Sequence, residues 1–308
     1  MTVDFETGAP IAGNLDVQWL DAPRSKRAAD AVPLIQVHAY DPHTFILREN
    51  RSVSFEAPFM YLLFGNERAL LLDTGATVDA ARFPLRATVD GLIEQWLKAN
   101  PRDAYEVIVA HTHSHNDHVA GDGQFADRPN TTVVGKTLEH VQSFYGFSDW
   151  PAETVHLDLG GRVLDVTGSP GHHPAAVIIY DPWSGFLLTG DNVYPGRLYA
   201  RDMAAFVGSL DRSVALAEAR PVTHVMGCHI EMKRQAGHDY PIGVAHQPEE
   251  PPLQMTVEQL KFVRDSAKAI EHKPGVHIYD DFIIYNGPCK RGVATLVLRG
   301  LVSKLLRR

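Results

Sequence analysis

The chain has 308 residues, 29 Lys+Arg against 37 Asp+Glu for a formal net charge of −8, and 44% hydrophobic residues. That balance excludes a disordered or collagenous chain and argues against a nucleic-acid partner, whose phosphates are met by excess Lys and Arg. Sixteen His stand beside only 2 Cys, Cys228 and Cys289, so a disulfide framework or a Cys-rich zinc module is excluded and any metal must be held by nitrogen and oxygen.

Residues 1–30 scatter Gly, Pro and charge without a period and read as an irregular arm. Acids near the start, with no apolar run behind them, are unlike a secretory leader. No window approaches the roughly 18–20 apolar residues of a membrane span. A cytoplasmic protein with no membrane span is the expectation. Residues 31–308 then read as a single domain. Short apolar runs predict strands at Leu34–Ala39, Thr44–Leu47, Met60–Phe64, Ala69–Leu72 and Glu106–Ala110. Val89, Leu92, Ile93, Trp96 and Leu97 recur at helical spacing between the last two. The theme repeats with strands at Thr132–Val134, Thr154–Leu159, Val163–Thr167, Ala176–Tyr180, Phe186–Leu188 and Val222–Met226, and helices around Leu138–Phe144 and Phe206–Val214. Strands in runs punctuated by single helices indicate an α+β layered fold, two sheets covered by outer helices.

A Pro- and Gly-rich insertion near 233–254 breaks the pattern; it follows His229, and the expectation is a lid over the site that shapes substrate choice. Thr256 with Gln259 forms a capping-box signature that opens a helix through Leu260, Val263 and Ile270, the start of a helix-plus-strand extension over 255–308. The tail carries Lys290, Arg291, Arg299, Lys304, Arg307 and Arg308 with no acid after Asp281, while Leu298, Leu301, Val302 and Leu305 share a helical face.

The chemistry concentrates in His111-Thr112-His113-Ser114-His115-Asn116-Asp117-His118, directly after the strand ending at Ala110. Imidazoles and a carboxylate this close are costly unless a cation sits between them, and neutral imidazole with ionised carboxylate suits Zn, Fe or Mn. One segment does not fill a coordination sphere. Three further strand ends offer ligand types: His172 (beside His173), Asp191 and His229, with His224 a rival to the last.

With those residues in place, the chain resembles the metallo-β-lactamase fold superfamily over nearly its whole body. Leu71-Leu72-Asp73-Thr74-Gly75 is similar to that family's early strand-end motif. His113-Ser114-His115-Asn116-Asp117-His118 is similar to its H-x-H-x-D-H signature, and His172, Asp191 and His229 follow as the later ligands in order. The resemblance implies an αβ/βα four-layer sandwich with the site at one edge of the two sheets. It places His113, His115 and His172 on one metal, Asp117, His118 and His229 on a second, and Asp191 between them. Asp73 would accept a hydrogen bond from a ligand imidazole. Asp191 stands where some members ligate through Cys, which argues against the Cys-containing branches of true β-lactamases.

What the resemblance implies about function is a metal-dependent hydrolase with two Zn2+ per chain, Fe or Mn being alternatives. A bridging hydroxide would cleave a small-molecule carbonyl substrate such as a lactone, ester, amide or thioester. Asp117 would hold the nucleophile and shuttle a proton. Tyr194, three residues past Asp191, is placed as in lactone-hydrolysing members to donate to an oxyanion, and Arg197 to meet a substrate carboxylate. The alternatives are a mononuclear iron sulfur dioxygenase of the same fold and, with less support from an acidic chain, a phosphodiesterase or nuclease. A homo-oligomer is compatible with the sequence.

Overall fold

The computed structural model describes residues 2–22, 32–287 and 290–305. Residues 23–30 of the arm, Cys289, Arg307 and Arg308 lie outside the described residues, as do the side chains of Lys290, Arg291, Lys304 and Leu305.

The first sheet runs in the order β1 (Ile35–Asp41), β2 (Thr44–Glu49), β3 (Phe59–Phe64), β4 (Arg68–Leu72), β5 (Glu106–Ala110), β6 (Thr131–Val133). Its first four strands form an antiparallel meander, and β4, β5 and β6 are parallel. The connection from β4 to β5 is helix α1 (Leu85–Ala99), as a parallel crossover requires. A short helix α2 (Asn116–Val119) follows β5, and α3 (Leu138–Tyr145) follows β6.

The second sheet repeats this plan. Strands β7 (Thr154–Asp158), β8 (Val163–Gly168), β9 (Val177–Asp181) and β10 (Phe186–Gly190) are antiparallel, and β10 then pairs in parallel with β12 (His224–Gly227). The two-residue β13 (Gln254–Met255) closes that edge. Between β10 and β12 lie β11 (Arg197–Ala200) and helix α4 (Met203–Ala219). Helix α5 (Val257–Ala269), strands β14 (Gly275–Ile278) and β15 (Ile283–Asn286), and helix α6 (Lys290–Leu305) complete the described chain. The capping box of Thr256 and Gln259 is formed.

Alternation along the strands sorts the apolar residues into layers. Tyr61, Leu63, Leu70, Leu72 and Ile108 of the first sheet meet Leu164, Val166, Val177, Ile179 and Leu188 of the second in one inter-sheet core. The outer face of the first sheet buries Leu85, Val89, Ile93 and Trp96 of α1. The outer face of the second buries Phe206, Leu210 and Val214 of α4 with Leu260 and Val263 of α5. Helix, sheet, sheet, helix is the four-layer sandwich anticipated. What the patterning missed is a third sheet, β11-β15-β14, in which Arg197–Ala200 pairs in parallel with Ile283–Asn286.

Residues 233–254 carry no strand before β13, yet the segment is firmly tied to the body. Glu250 receives Arg48 Nη1 at 2.7 Å and Nη2 at 2.6 Å, and Arg51 Nη2 at 2.7 Å.

Candidate metal centre

Parallel register explains why distant residues converge. In the first sheet Leu72 pairs with Ala110, so Asp73 and the histidine segment leave adjacent strand ends together, and Asp73 N donates to Ala110 O at 2.8 Å. In the second sheet Gly190 pairs with Gly227, which delivers Asp191 and His229 side by side. Two backbone bonds knit these ends across the sandwich, Val177 N to Thr112 O at 2.9 Å and Phe59 N to Cys228 O at 2.8 Å. Gly190 has φ +53°, and a Cβ there would lie 2.7 Å from Thr112 Cβ, so the residue before Asp191 must be glycine.

The ligand-type atoms fall into two adjoining groups around Asp191, with a third of Asp73, His118 and Cys228 behind them. His113 Nε2 and His172 Nε2 lie 2.8 and 2.9 Å from His115 Nδ1. His118 Nε2 and His229 Nε2 lie 3.3 Å apart, and Asp117 Oδ2 is 3.5 and 3.3 Å from them. Asp191 joins the groups through its two oxygens. Its Oδ2 is 3.9 Å from His113 Nε2 and 3.6 Å from His172 Nε2; its Oδ1 is 3.5 Å from His118 Nε2 and 3.4 Å from His229 Nε2.

The outer nitrogens have partners that orient the rings. His172 Nδ1 donates to Tyr199 O (3.1 Å), His229 Nδ1 to Glu56 O (3.2 Å) and His118 Nδ1 to Asp73 Oδ2 (2.9 Å). Each Nε2 is thereby aimed inward. Asp73, at φ +69°, also accepts Thr112 N at 2.7 Å and Thr112 Oγ1 at 2.8 Å. A non-glycine residue in that region stores strain that its surroundings must hold.

Burial and charge set the protonation of the cluster. Burial, then the neighbouring imidazoles, holds His113 well below the ordinary range; burial likewise lowers His172, and His115 to about 4. Three neutral rings thus point lone pairs at one spot. In the second group burial works against the charged forms, but the carboxylates win: His229 is raised to about 9 by Asp191 and Asp117, and Asp191 falls to about 2 against its histidines. Asp191 Oδ1 is buried with no hydrogen-bond donor of its own. Converging lone pairs, a buried carboxylate oxygen with no donor, and an all nitrogen-and-oxygen donor set at these spacings fit divalent cations, which would displace the remaining protons.

The structure brings His113, His115, Asp117, His118, His172, Asp191 and His229 together, with Asp73 behind His118. His111 instead bonds Asp122 at 2.8 Å, His173 Nδ1 accepts Ala175 N, and His224 Nδ1 contacts Thr223 Oγ1. Tyr194 and Arg197 correct the expectation that they face substrate. The buried Tyr194 hydroxyl donates to Arg197 O at 2.6 Å, with Glu231 Oε2 3.2 Å away. The Arg197 guanidinium is committed to Glu231, to Asp239 at 3.0 Å and to Tyr240 O at 2.9 Å. Sequence reasoning passed over Thr112, which ties Asp73 to the motif, and read Cys228 as a small buried residue; it is buried, and its Sγ lies 3.3 Å from Asp73 Oδ2. Their only sequence signal was adjacency to ligands. Asp73→Asn should weaken metal binding about 10–100-fold in a chelator competition titration; unchanged affinity would remove Asp73 from its orienting role.

A four-layer αβ/βα sandwich with a buried His/Asp cluster at one sheet edge defines a class of metal-binding protein. Residues 54–228 match the family model of the metallo-beta-lactamase superfamily, and the chain belongs to that superfamily. It is 30% identical over 174 residues to a Synechococcus hydroxyacylglutathione hydrolase, covering 53% of this chain and 61% of that protein. It is 23% identical over 203 residues to an acyl-coenzyme A thioesterase from Bos taurus, covering 55% of this chain and 72% of that one. Against the hydroxyacylglutathione hydrolases the match spans about half their length, 61%, 47% and 46% in three of them. Among solved structures, the DIM-1 metallo-beta-lactamase aligns at 14% identity and TM-score 0.49 over 77% of this chain and 99% of its own.

Proposed function

We propose that this chain is a dinuclear zinc hydrolase acting on small carbonyl compounds, with thioesters as the leading substrate class. The observation that carries the reading is Asp191, whose two oxygens address two separate histidine groups, as a carboxylate shared by two cations would. Relatives named for hydroxyacylglutathione hydrolysis and acyl-coenzyme A thioester cleavage support the thioester.

His113, His115 and His172 would hold one ion, Asp117, His118 and His229 the other, and Asp191 both. Two such ions polarise a carbonyl and bring water toward ionisation at neutral pH. The chain's own contribution starts with Asp117. Its side chain is 26% exposed while that of Asp191 is 9% exposed, so Asp117 is the carboxylate of the cluster that reaches an incoming substrate. Its carboxylate would take a proton from the attacking water and return it to the leaving sulfur. Asp73, Glu56 O and Tyr199 O keep the three imidazoles from turning as charge develops. The Tyr194 ring, 5.6 Å from that of His229, walls the site.

Metal analysis of the purified chain, followed by lactone, thioester, β-lactam and phosphodiester substrates, tests the reading. About two zincs per chain with preferential thioester cleavage is the expected result; one iron with oxygen consumption, or phosphodiester cleavage alone, overturns it. Tyr194→Phe adds a finer test. Because the hydroxyl is spent on Arg197 O, the variant should lose about 1 kcal/mol of stability and keep near-normal kcat. A large kcat loss with metal content intact would return the hydroxyl to the reaction.

A further inference from the structure

Helix α6 is docked with its apolar side outward. On the inner side Leu296 is 2% exposed and packs with Met232, Ile283 and Tyr285, with Tyr199 and Ile242 against them. Arg299 Nη2 meets Asp239 Oδ1 at 2.7 Å. Gly300 approaches so closely that a Cβ would lie 2.5 Å from Ile242 O, so the contact is a fitted one. On the outer side Val297, Leu298, Leu301 and Val302 are 45%, 60%, 55% and 45% exposed. An amphipathic helix on a body ordinarily turns its apolar stripe inward. Here the stripe is left for something outside the described fold.

Charge says what that something is. Besides Arg299, which is spent on Asp239, residues 290–308 hold Lys290, Arg291, Lys304, Arg307 and Arg308 and no Asp or Glu, in a chain whose net charge is −8. Two copies joined through this face would bring two all-cationic segments to one seam, which repulsion opposes. An anionic lipid surface offers the complement to both features: headgroup charge for the cations and an acyl boundary for the apolar stripe. Among the described residues no helix is long and apolar enough to cross a membrane, so the mode is lying on a surface.

We propose that the outer face of α6 is a docking surface for anionic lipid membranes, holding the protein peripherally. The inner side of the helix leans on Tyr199, whose carbonyl carries His172, so the gripped surface is linked to the metal site through one packed layer. The inference is independent of the reaction catalysed.

The test is flotation of the full chain with vesicles of phosphatidylcholine alone or of phosphatidylcholine with phosphatidylglycerol. The protein should float with the mixed vesicles, stay dense with phosphatidylcholine alone, and detach as salt rises. A Leu298→Glu/Leu301→Glu double variant should lower the bound fraction about tenfold or more, with its thermal midpoint unchanged because both positions are exposed. Failure of the wild type to float with the mixed vesicles at low salt overturns the proposal. Equal flotation of the double variant overturns it too. A wild-type dimer that the double variant converts to monomer, with no vesicle binding, assigns the face to a second copy instead.

Discussion

Asp191→Asn should cost at least one of the two metal equivalents proposed above and lower kcat/KM by at least about 100-fold, beyond the roughly 10–100-fold that loss of a group merely supporting a ligand costs. The substitution keeps the volume and one carbonyl oxygen, so it isolates the second oxygen and the charge. Both matter in the geometry. Oδ1 and Oδ2 each face two histidines of a different group at 3.4–3.9 Å, and Asn can offer a lone-pair oxygen to only one side. Its amide nitrogen would aim protons at two imidazole nitrogens already aimed inward. The inter-sheet core packs tightly beneath, so the backbone has little room to adjust. Metal analysis of the variant beside wild type, with thioester kinetics, checks both halves. Full occupancy with normal turnover would show that Asp191 does not join two ions.

The candidate ligands were legible because each follows a strand end, and strand ends are visible as apolar runs stopping at polar residues. Ala110 before the histidine segment and Leu188 before Asp191 mark such places. Parallel pairing then does what no local pattern encodes, setting Leu72 beside Ala110 and Gly190 beside Gly227. The third sheet was hidden for the same reason in reverse. Arg197–Ala200 is only four residues long, and its partner Ile283–Asn286 lies beyond α4, β12 and the insertion. That pairing also explains why proximity misled for Tyr194 and Arg197. Standing just after Asp191 in sequence, they suggested substrate contacts. Their partners Glu231, Asp239 and Tyr240 arrive from beyond His229 and turn both side chains into the wall. Adjacency along the chain predicts a shared strand end, whereas the direction of a side chain depends on charges far away in sequence.

The largest stability effect should come from Glu250→Gln, with a loss of about 3–5 kcal/mol, the usual consequence of leaving a buried charge without its partner. Arg48 and Arg51 are 1% and 3% exposed, and Glu250 is the carboxylate that compensates both. Burial, then Arg48, already lowers Arg51 to about 10, so the pair tolerates no further loss of negative charge. The acid dependence follows from the same contacts. Burial disfavours the Glu250 carboxylate, but Arg48 and Arg51 outweigh it and hold its pKa below the ordinary value. A depressed folded pKa means stability that is fully present above the unfolded glutamate value of about 4.3 and lost as pH falls toward the folded one. The gap between wild type and Glu250→Gln should therefore be constant near neutrality and narrow below about pH 4.5 in denaturant unfolding. Arg51 Nη2 also donates to Ile230 O at 2.8 Å, one residue past His229. Loss of Glu250 frees Arg51 to shift, and with it the strand end that carries the last ligand, so the variant's metal affinity should fall along with its stability. Equal stability at neutral pH would show that Arg48 and Arg51 find solvent or other acceptors, and that the insertion is held by its remaining contacts, among them Asp239 with Arg197 and Arg299.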